Sequence, residues 1–296
     1  MLTTAQAFGK FSKHLELSDT EQKDAEKRHS EVRECIRAGF NIETDFLSGS
    51  YRRHTKTKPL KDVDVMFVLG KEEKWRRNKA PIETLQAFEA QLKKTYTDKD
   101  QVEIGRRSVT TVFEKDYYPD DHEGKVLSID AVPAFEIDGG IYEIPDKITK
   151  TWIKTNPEKH KEQATAKNKE MDGRWVPLVK MVKGWNRANG QPIKPSFLVE
   201  VMAEELVEPP FSTYPDEVRN FFAAAEANIG RTWPDPANLG PPVSDQMTPE
   251  RVAAARKALE EAQRKVALAA RAETTGRQGE ALRLWCEVLG DYFPLS

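Results

Sequence analysis

Residues 47–70 read LSGSYRRHTKTKPLKDVDVMFVLG, and the closing DVDVMFVLG decides the fold. Along a strand, alternate residues share a face. Val63, Val65, Phe67 and Leu69 form a core face and predict a strand over 63–69. Asp62, Asp64, Met66 and Val68 take the other face. Two carboxylates adjacent on one face repel each other unless something positive sits between them. A divalent cation does this best, and oxygen-only ligation favours Mg²⁺ or Mn²⁺ over zinc.

A third acid lies in KVLSIDAVPAF, where alternation groups Ser128, Asp130 and Val132 on one face and Leu127, Ile129 and Ala131 on the other. If this strand neighbours 62–69, three carboxylates converge. Such a trio can hold two metals roughly 3.5–4 Å apart, one gripping a nucleoside triphosphate and one lowering the pKa of an attacking hydroxyl. An Asp-x-Asp pair alone commonly marks a strand end or a turn. Its ordered combination with Gly49-Ser50 upstream and Asp130 downstream is far more specific. Gly49 has no side chain to keep a phosphate from the backbone, and the Ser50 hydroxyl with nearby N–H groups can donate to phosphate oxygens. An ordinary turn is the alternative for that pair.

Composition sets the bounds. A chain of 296 residues suits one large domain or two smaller ones. It is 32% charged and 38% hydrophobic, without the apolar run of about 20 residues that a membrane span needs. The first residues, MLTTAQAFGKFSKHLELSD, lack the basic start and apolar stretch of a secretory signal. Cys35 and Cys286 make neither a disulfide framework nor a four-ligand zinc site, and a reducing cytoplasm is the expected location. With a net charge of −2 the chain as a whole is no polyanion binder. Its basic clusters are local, and each alone reads as solvated surface. The run YRRHTKTKPLK, between the Gly-Ser pair and the acids, reads instead as the wall of a phosphate pocket.

Ser18 and Glu21 form a capping box that opens a helix over about 19–38, ended by Gly39. At about 30 Å such a helix can brace a whole domain. Further helices are expected at 81–95, 157–170 and 174–189, the last with Trp175, Leu178, Val179, Val182 and Trp185 at the 3.6 period. Another follows Pro195, and a long Ala-rich one follows Thr248-Pro249-Glu250 to about 272, where Gly276 breaks it before a short helix to about 288. Strands are expected at 101–113 and 125–132, with a hairpin in EIDGGIYEIP. Residues 207–216 and 229–248 are rich in Pro and Gly and read as loops. After about residue 150 the strand signal ends, so a mixed α/β sheet domain precedes a helical one.

These residues resemble a known superfamily. GSYRRHTKTKPLKDVDV is similar to the Gly-Ser … Asp-x-Asp signature of polymerase-β-like nucleotidyltransferases. Arg53, Thr55 and Pro59 resemble one branch, the bacterial cGAS/DncV-like nucleotidyltransferases, the CD-NTases of anti-phage CBASS systems. SIDAVPAF, with Pro133, is similar to that family's third-aspartate strand. LVKMVKGWNR looks like the family's central helix, whose Lys before an apolar-aromatic pair contacts the donor triphosphate; Lys183 matches. KPSFLVEVM resembles the segment where a small polar residue touches phosphate and the next aromatic stacks on a base; Ser196 and Phe197 match, with Phe lacking the hydroxyl of the tyrosine common there. WPDPANLGPPV is similar to an Asp-Pro segment of oligoadenylate-synthetase-like C-terminal regions.

From the residues alone, Phe197 serves equally as a core residue, Trp175 and Trp185 read as core, and Lys180 and Arg187 read as a solvated basic face. His54, His122 and His160 have no ligand spacing around them, so nothing resembles the zinc insertion of the animal sensor enzyme and no DNA is expected as partner.

The resemblance implies an α+β fold. Residues 1–150 form a nucleotidyltransferase catalytic domain with a mixed sheet and the bracing N-terminal helix, and residues 151–296 an all-helical oligoadenylate-synthetase-like domain. It implies a cyclic oligonucleotide synthase of anti-phage signalling, monomeric as a catalytic unit, taking nucleoside triphosphates with ATP among them and two Mg²⁺ or Mn²⁺ ions. Asp62, Asp64 and Asp130 would hold the metals, Gly49 and Ser50 the β- and γ-phosphates, and Lys183, Ser196 and Phe197 the nucleotide from the helical side, in a cleft between the halves. A regulatory protein partner is implied for some members. Two other readings stay open: nucleotidyl transfer to RNA, a protein or a small molecule, and an inactive nucleotide-binding adaptor.

Overall fold

In the computed structural model, residues 2–98, 100–113 and 128–296 are described; residues 125–127 of the expected strand, and His122, lie outside them. The chain runs α1 (Thr4–His14), α2 (Asp19–Arg37), β1 (Ile42–Leu47), α3 (Gly49–Arg52), β2 (Asp62–Leu69), a 3₁₀ segment (Lys71–Asn78), α4 (Pro81–Leu92), β3 (Val102–Ile104), β4 (Val109–Val112), β5 (Ser128–Asp138), β6 (Ile141–Asp146) and β7 (Thr151–Thr155). Helices α5 (Pro157–Glu170), α6 (Trp175–Ala188), α7 (Ser196–Leu206), α8 (Tyr214–Asn228), α9 (Pro249–Thr274) and α10 (Gln278–Leu289) follow. Two units result. One comprises residues 17–161 and 237–240, the other residues 1–16, 162–236 and 241–296.

The sheet unit is built on the strand order β1-β2-β5-β4-β3, with β6 and β7 continuing from the far half of β5. β2 and β5 pair in parallel, while β1–β2, β4–β5, β3–β4, β5–β6 and β6–β7 are antiparallel. The sheet is therefore mixed, as expected. The alternation read from the sequence holds. Val63, Val65 and Phe67 of β2 join Ile129 and Ala131 of β5 and Val109 of β4 in one core, closed by Val32 and Ile36 of α2 and Leu85 and Phe88 of α4. On the other face Met66, Val132, Ala134 and Ile144 form a smaller apolar cluster.

The capping box that opens α2 is present: Ser18 caps Glu21 N, and the Glu21 side chain accepts from Ser18 N at 2.8 Å. In the helical unit, α6 is amphipathic as its period predicts. Trp175 and Trp185 are buried in a core with Trp233, Trp285, Phe8 and Phe11.

The structure departs from the sequence reading in several elements. Residues 101–113 are a hairpin, β3 and β4, because the Gly105–Ser108 turn closes on itself through Gly105 N to Ser108 O at 2.9 Å. β7 lies beyond the point where strand signal was expected to end; it pairs with β6, and its Trp152 packs edge-on against Phe135 at 5.2 Å. α1 carries its own capping box, Thr3 with Gln6, and buries Phe8 and Phe11. α8 starts inside a stretch read as loop, where Thr213 caps Asp216 and a proline stands at the first turn. Among the described residues no helix is long and apolar enough to cross a membrane.

The turn between β6 and β7 is fixed by a fully buried carboxylate, Asp146. It accepts from Arg106 Nε at 3.0 Å, Arg107 Nε at 2.9 Å, Ile148 N at 2.9 Å and Thr149 N at 3.1 Å. Burial alone would raise its pKa. The hydrogen bonds from Arg106, the Thr149 backbone and Arg107, with the charge of Arg107, outweigh burial and hold it at about 2. A carboxyl depressed below its unfolded value of about 3.9 stabilises the fold fully above that value, and loses the contribution as pH falls towards the folded value. Asp146→Asn should therefore cost on the order of 2 kcal/mol near neutral pH. Urea unfolding as a function of pH checks this: the difference between wild type and variant should shrink between about pH 4 and pH 2.

Candidate active site

Parallel pairing of β2 with β5 sets the candidate site. In that register Asp64 stands opposite Asp130, and Asp62 opposite Ser128. On the other side of β5, antiparallel β4 places Thr110 opposite Asp130. Paired residues in adjacent strands point to the same face. Asp64, Asp130 and Thr110 thus form a row across three strands, with Asp62 two residues before Asp64 at the strand's exposed start. The adjacency expected of the two strands is observed.

Asp130 is held from the β4 side. Thr110 Oγ1 donates to its Oδ1 at 2.5 Å, and Ser108 donates as well. Burial pushes its carboxyl up, the Thr110 bond pulls it down, the negative charge of Asp62 pushes it up again, and the Ser108 bond opposes; the outcome is about 6. Asp62 and Asp130 therefore feel each other electrostatically.

Gly49 approaches from the opposite strand. It adopts φ +57, and a Cβ added there would stand 1.7 Å from Asp64 Oδ2. The conformation and the space both demand glycine. Ser48 N donates to Asp64 O at 2.8 Å and ties the loop to β2. Ser50 follows in the short α3, its carbonyl accepting from Thr55 N at 3.0 Å and Lys56 N at 3.2 Å. Gly49 thus lies against Asp64, whose strand neighbour is Asp130, in the same sheet unit as Ser50 and Asp62.

Three cations of the basic run have partners within the sheet unit. Arg52 pairs with Glu158 and lies over the Phe46 ring at 5.0 Å. Lys56 Nζ sits 3.7 Å from the centroid of Tyr51, and Lys58 lies 3.6 Å from the buried Glu21. These three cations brace the loop that carries Gly49.

Among the described residues no three His, Cys, Asp or Glu side chains stand gathered as a metal-holding cluster. The backbone register brings Asp64 and Asp130 side by side, and a cation between them would offset the repulsion of their charges. The donor set nonetheless fits a hard divalent cation: three carboxylates at one strand end, and an Asp130 whose proton affinity Asp62 raises. A cleft of about 520 Å³ elsewhere in this unit is lined by Lys74, Arg77, Asn78, Glu143 and Trp152, not by the acids.

The helical unit holds the other candidates. Lys183 is buried, its Nζ 2.6 Å from Oε1 of the buried Glu200 on α7. Ser196 is exposed at the start of α7, and Phe197 is half-buried against the core. Lys180, expected on a solvated face, is 5% exposed and bonded to both Glu16 oxygens at 2.6 and 2.7 Å. Sequence reasoning missed Ser108, Thr110 and Glu200. Glu200 carried a signal, being a lone acid in the apolar run FLVEVM; Thr110 carried none, since its facing residue is set by register.

The chain is similar to several known proteins. The chain is 28% identical over 320 residues, covering 100% of itself and 87% of the relative, to the cyclic AMP-AMP-AMP synthase of Acinetobacter sp. (strain ATCC 27244 / 9458). The structure of CdnC with ATP from E. coli MS115-1 superposes with a TM-score of 0.73 at 19% identity, covering 99% of each chain. The CdnC:HORMA-deltaN complex of the same strain gives a TM-score of 0.71 at 19% identity and 98% coverage of each chain. Residues 1–168 match the Second Messenger Oligonucleotide or Dinucleotide Synthetase domain. With the two-strand acid register, the Gly-Ser loop and that match over more than half its length, the chain belongs to this family of nucleotidyltransferase enzymes that synthesise cyclic oligonucleotides.

Proposed function

We propose that the enzyme joins nucleoside triphosphates, ATP among them, into a cyclic oligonucleotide messenger of anti-phage defence by metal-assisted phosphoryl transfer at Asp62, Asp64 and Asp130. The observation that carries the reading is the register that sets Asp64 beside Asp130 with Gly49 against the Asp64 carboxylate. ATP as a substrate is supported by the relative named for an AMP-only product and by the neighbouring fold solved with ATP.

Asp62 and Asp64 would hold both of two Mg²⁺ or Mn²⁺ ions, and Asp130 one of them. Bound there, the ions offset triphosphate charge and acidify the attacking hydroxyl. Asp130, held by Thr110 and Ser108, is oriented to accept the proton of that hydroxyl. Gly49 and Ser50 would seat the β- and γ-phosphates, with the Ser50 hydroxyl donating to them, while the missing Cβ of Gly49 lets the loop pack against the Asp64 carboxylate. Lys183, Ser196 and Phe197 are the helical unit's proposed nucleotide contacts, with Glu200 fixing the Lys183 ammonium. A regulatory protein partner belongs to the proposal, supported by the neighbouring fold solved with a HORMA protein.

The test is incubation with the four labelled triphosphates and Mg²⁺ or Mn²⁺, phosphatase treatment, and mass spectrometry of resistant products. A ring leaves a species with no terminal phosphate. A linear chain or a labelled macromolecule would sink the cyclase reading. Asp62→Asn with Asp64→Asn should abolish the product while circular dichroism stays native; full activity in that variant removes the metal assignment. Gly49→Ala should lower turnover by about 100-fold with the fold retained, because the new methyl displaces Asp64 by an ångström or more.

A further inference from the structure

The β3–β4 hairpin that supplies Thr110 and Ser108 to Asp130 is short. β3 has three residues and β4 four, and β3 lies at the edge of the sheet. Two cross-strand neighbours alone would hold such a hairpin loosely. Its turn is instead anchored from the opposite direction. Arg106 meets Asp146 with both faces of its fork, Nε to Oδ1 at 3.0 Å and Nη2 to Oδ2 at 2.8 Å. Arg107 adds Nε to Oδ2 at 2.9 Å. The next residue of the β6–β7 turn, Lys147, donates its N–H to Arg106 O at 2.9 Å and its ammonium to Ile104 O at 2.9 Å.

We propose that Asp146 is a positioning residue for Asp130: by clamping Arg106 and Arg107 it fixes the turn from which Ser108 and Thr110 hold the third carboxylate in place. The inference rests on the reading of Asp130 as an active-site acid. Removing one partner of a buried ion pair is costly, yet the whole pair often stabilises a fold no more than apolar residues of similar volume would. What a bidentate arginine pair supplies is orientation, because the planar fork accepts its partner in few geometries. Ser108 follows Arg107 directly, and Thr110 lies two residues further on the face of Asp130. A shift of the turn is therefore transmitted to both hydroxyls. Residues that orient metal-holding side chains typically change metal affinity or activity by about 10–100-fold when replaced.

The experiment compares wild type, Asp146→Asn, Arg106→Lys, Thr110→Val and the Asp146→Asn/Thr110→Val double variant. Arg106→Lys keeps the charge and loses the fork, so it serves if Asp146→Asn folds poorly. Mn²⁺ binding to the protein alone, followed by electron paramagnetic resonance, is read beside turnover of ATP across a Mn²⁺ titration. Expected is a rise of about tenfold in the Mn²⁺ concentration for half-binding and half-activity in each single variant, with the KM for ATP within about twofold of wild type. The double variant should be less than multiplicatively worse than Thr110→Val, since Asp146→Asn acts in part through the hydroxyl that Thr110→Val removes and in part through Ser108. A folded Asp146→Asn or Arg106→Lys protein with wild-type Mn²⁺ dependence overturns the proposal, and so does full multiplication of the two effects. Mn²⁺ binding that survives Asp62→Asn/Asp64→Asn unchanged would instead overturn the carboxylate site itself, which keeps the two failures apart.

Discussion

Everything at the candidate site depends on the register of β2 against β5. A slip of one residue would turn every side chain of β2 to the other face and separate the acids. What prevents the slip lies on the opposite face. Val63, Val65 and Phe67 share a core with Ile129 and Ala131, so the apolar side of the pair aligns the polar side. Further along the acid-bearing face, Met66 and Val132 enter a second apolar cluster. The acids are thus confined to one end of the strands, with Asp62 exposed there.

That alignment carries an electrostatic cost. Asp130 stands beside Asp64, and the charge of Asp62 raises its proton affinity. Two hydroxyls from one hairpin offset part of this by donating to Asp130. The hairpin is in turn tied to Asp146, a carboxylate with the opposite tendency, because arginines surround it. Two aspartates of one unit are therefore tuned in opposite directions: burial and the charge of Asp62 raise Asp130, while the hydrogen bonds from Arg106, Thr149 and Arg107 lower Asp146. The first is a group whose charge a cation can stabilise; the second stays charged near neutral pH and holds the β3–β4 turn.

Much of this was legible in the residues. The period of two in DVDVMFVL and SIDAV placed both strands and assigned their faces, and capping boxes and helical periods placed α2, α6 and α9. Elements whose existence depends on distant partners were not. β7 is short, and it exists because β6 pairs with it and Phe135 receives Trp152. The break between β3 and β4 turns on the local closure of Gly105 on Ser108, which a run of strand-forming residues on either side conceals. The three acids and the Gly-Ser pair could be named beforehand because each is a chemical anomaly in its setting. Thr110 and Ser108 are ordinary strand and turn residues, and their importance comes from what stands across from them.

Cations resist reading by type for a related reason. With 46 Lys and Arg against 48 Asp and Glu, almost every positive side chain can find a carboxylate once the chain folds. Position in the fold then decides its use. Arg52 and Lys58, next to the Gly-Ser loop, are drawn to Glu158 and Glu21 and stiffen the loop from outside. Lys180 and Lys183, one helical turn apart, are both buried, yet one meets Glu16 and the other Glu200. Removing either partner would leave a buried charge uncompensated, which is far costlier than the pair is stabilising. Glu200 therefore does for Lys183 what Asp146 does for the β3–β4 turn: it holds a charged group in one orientation.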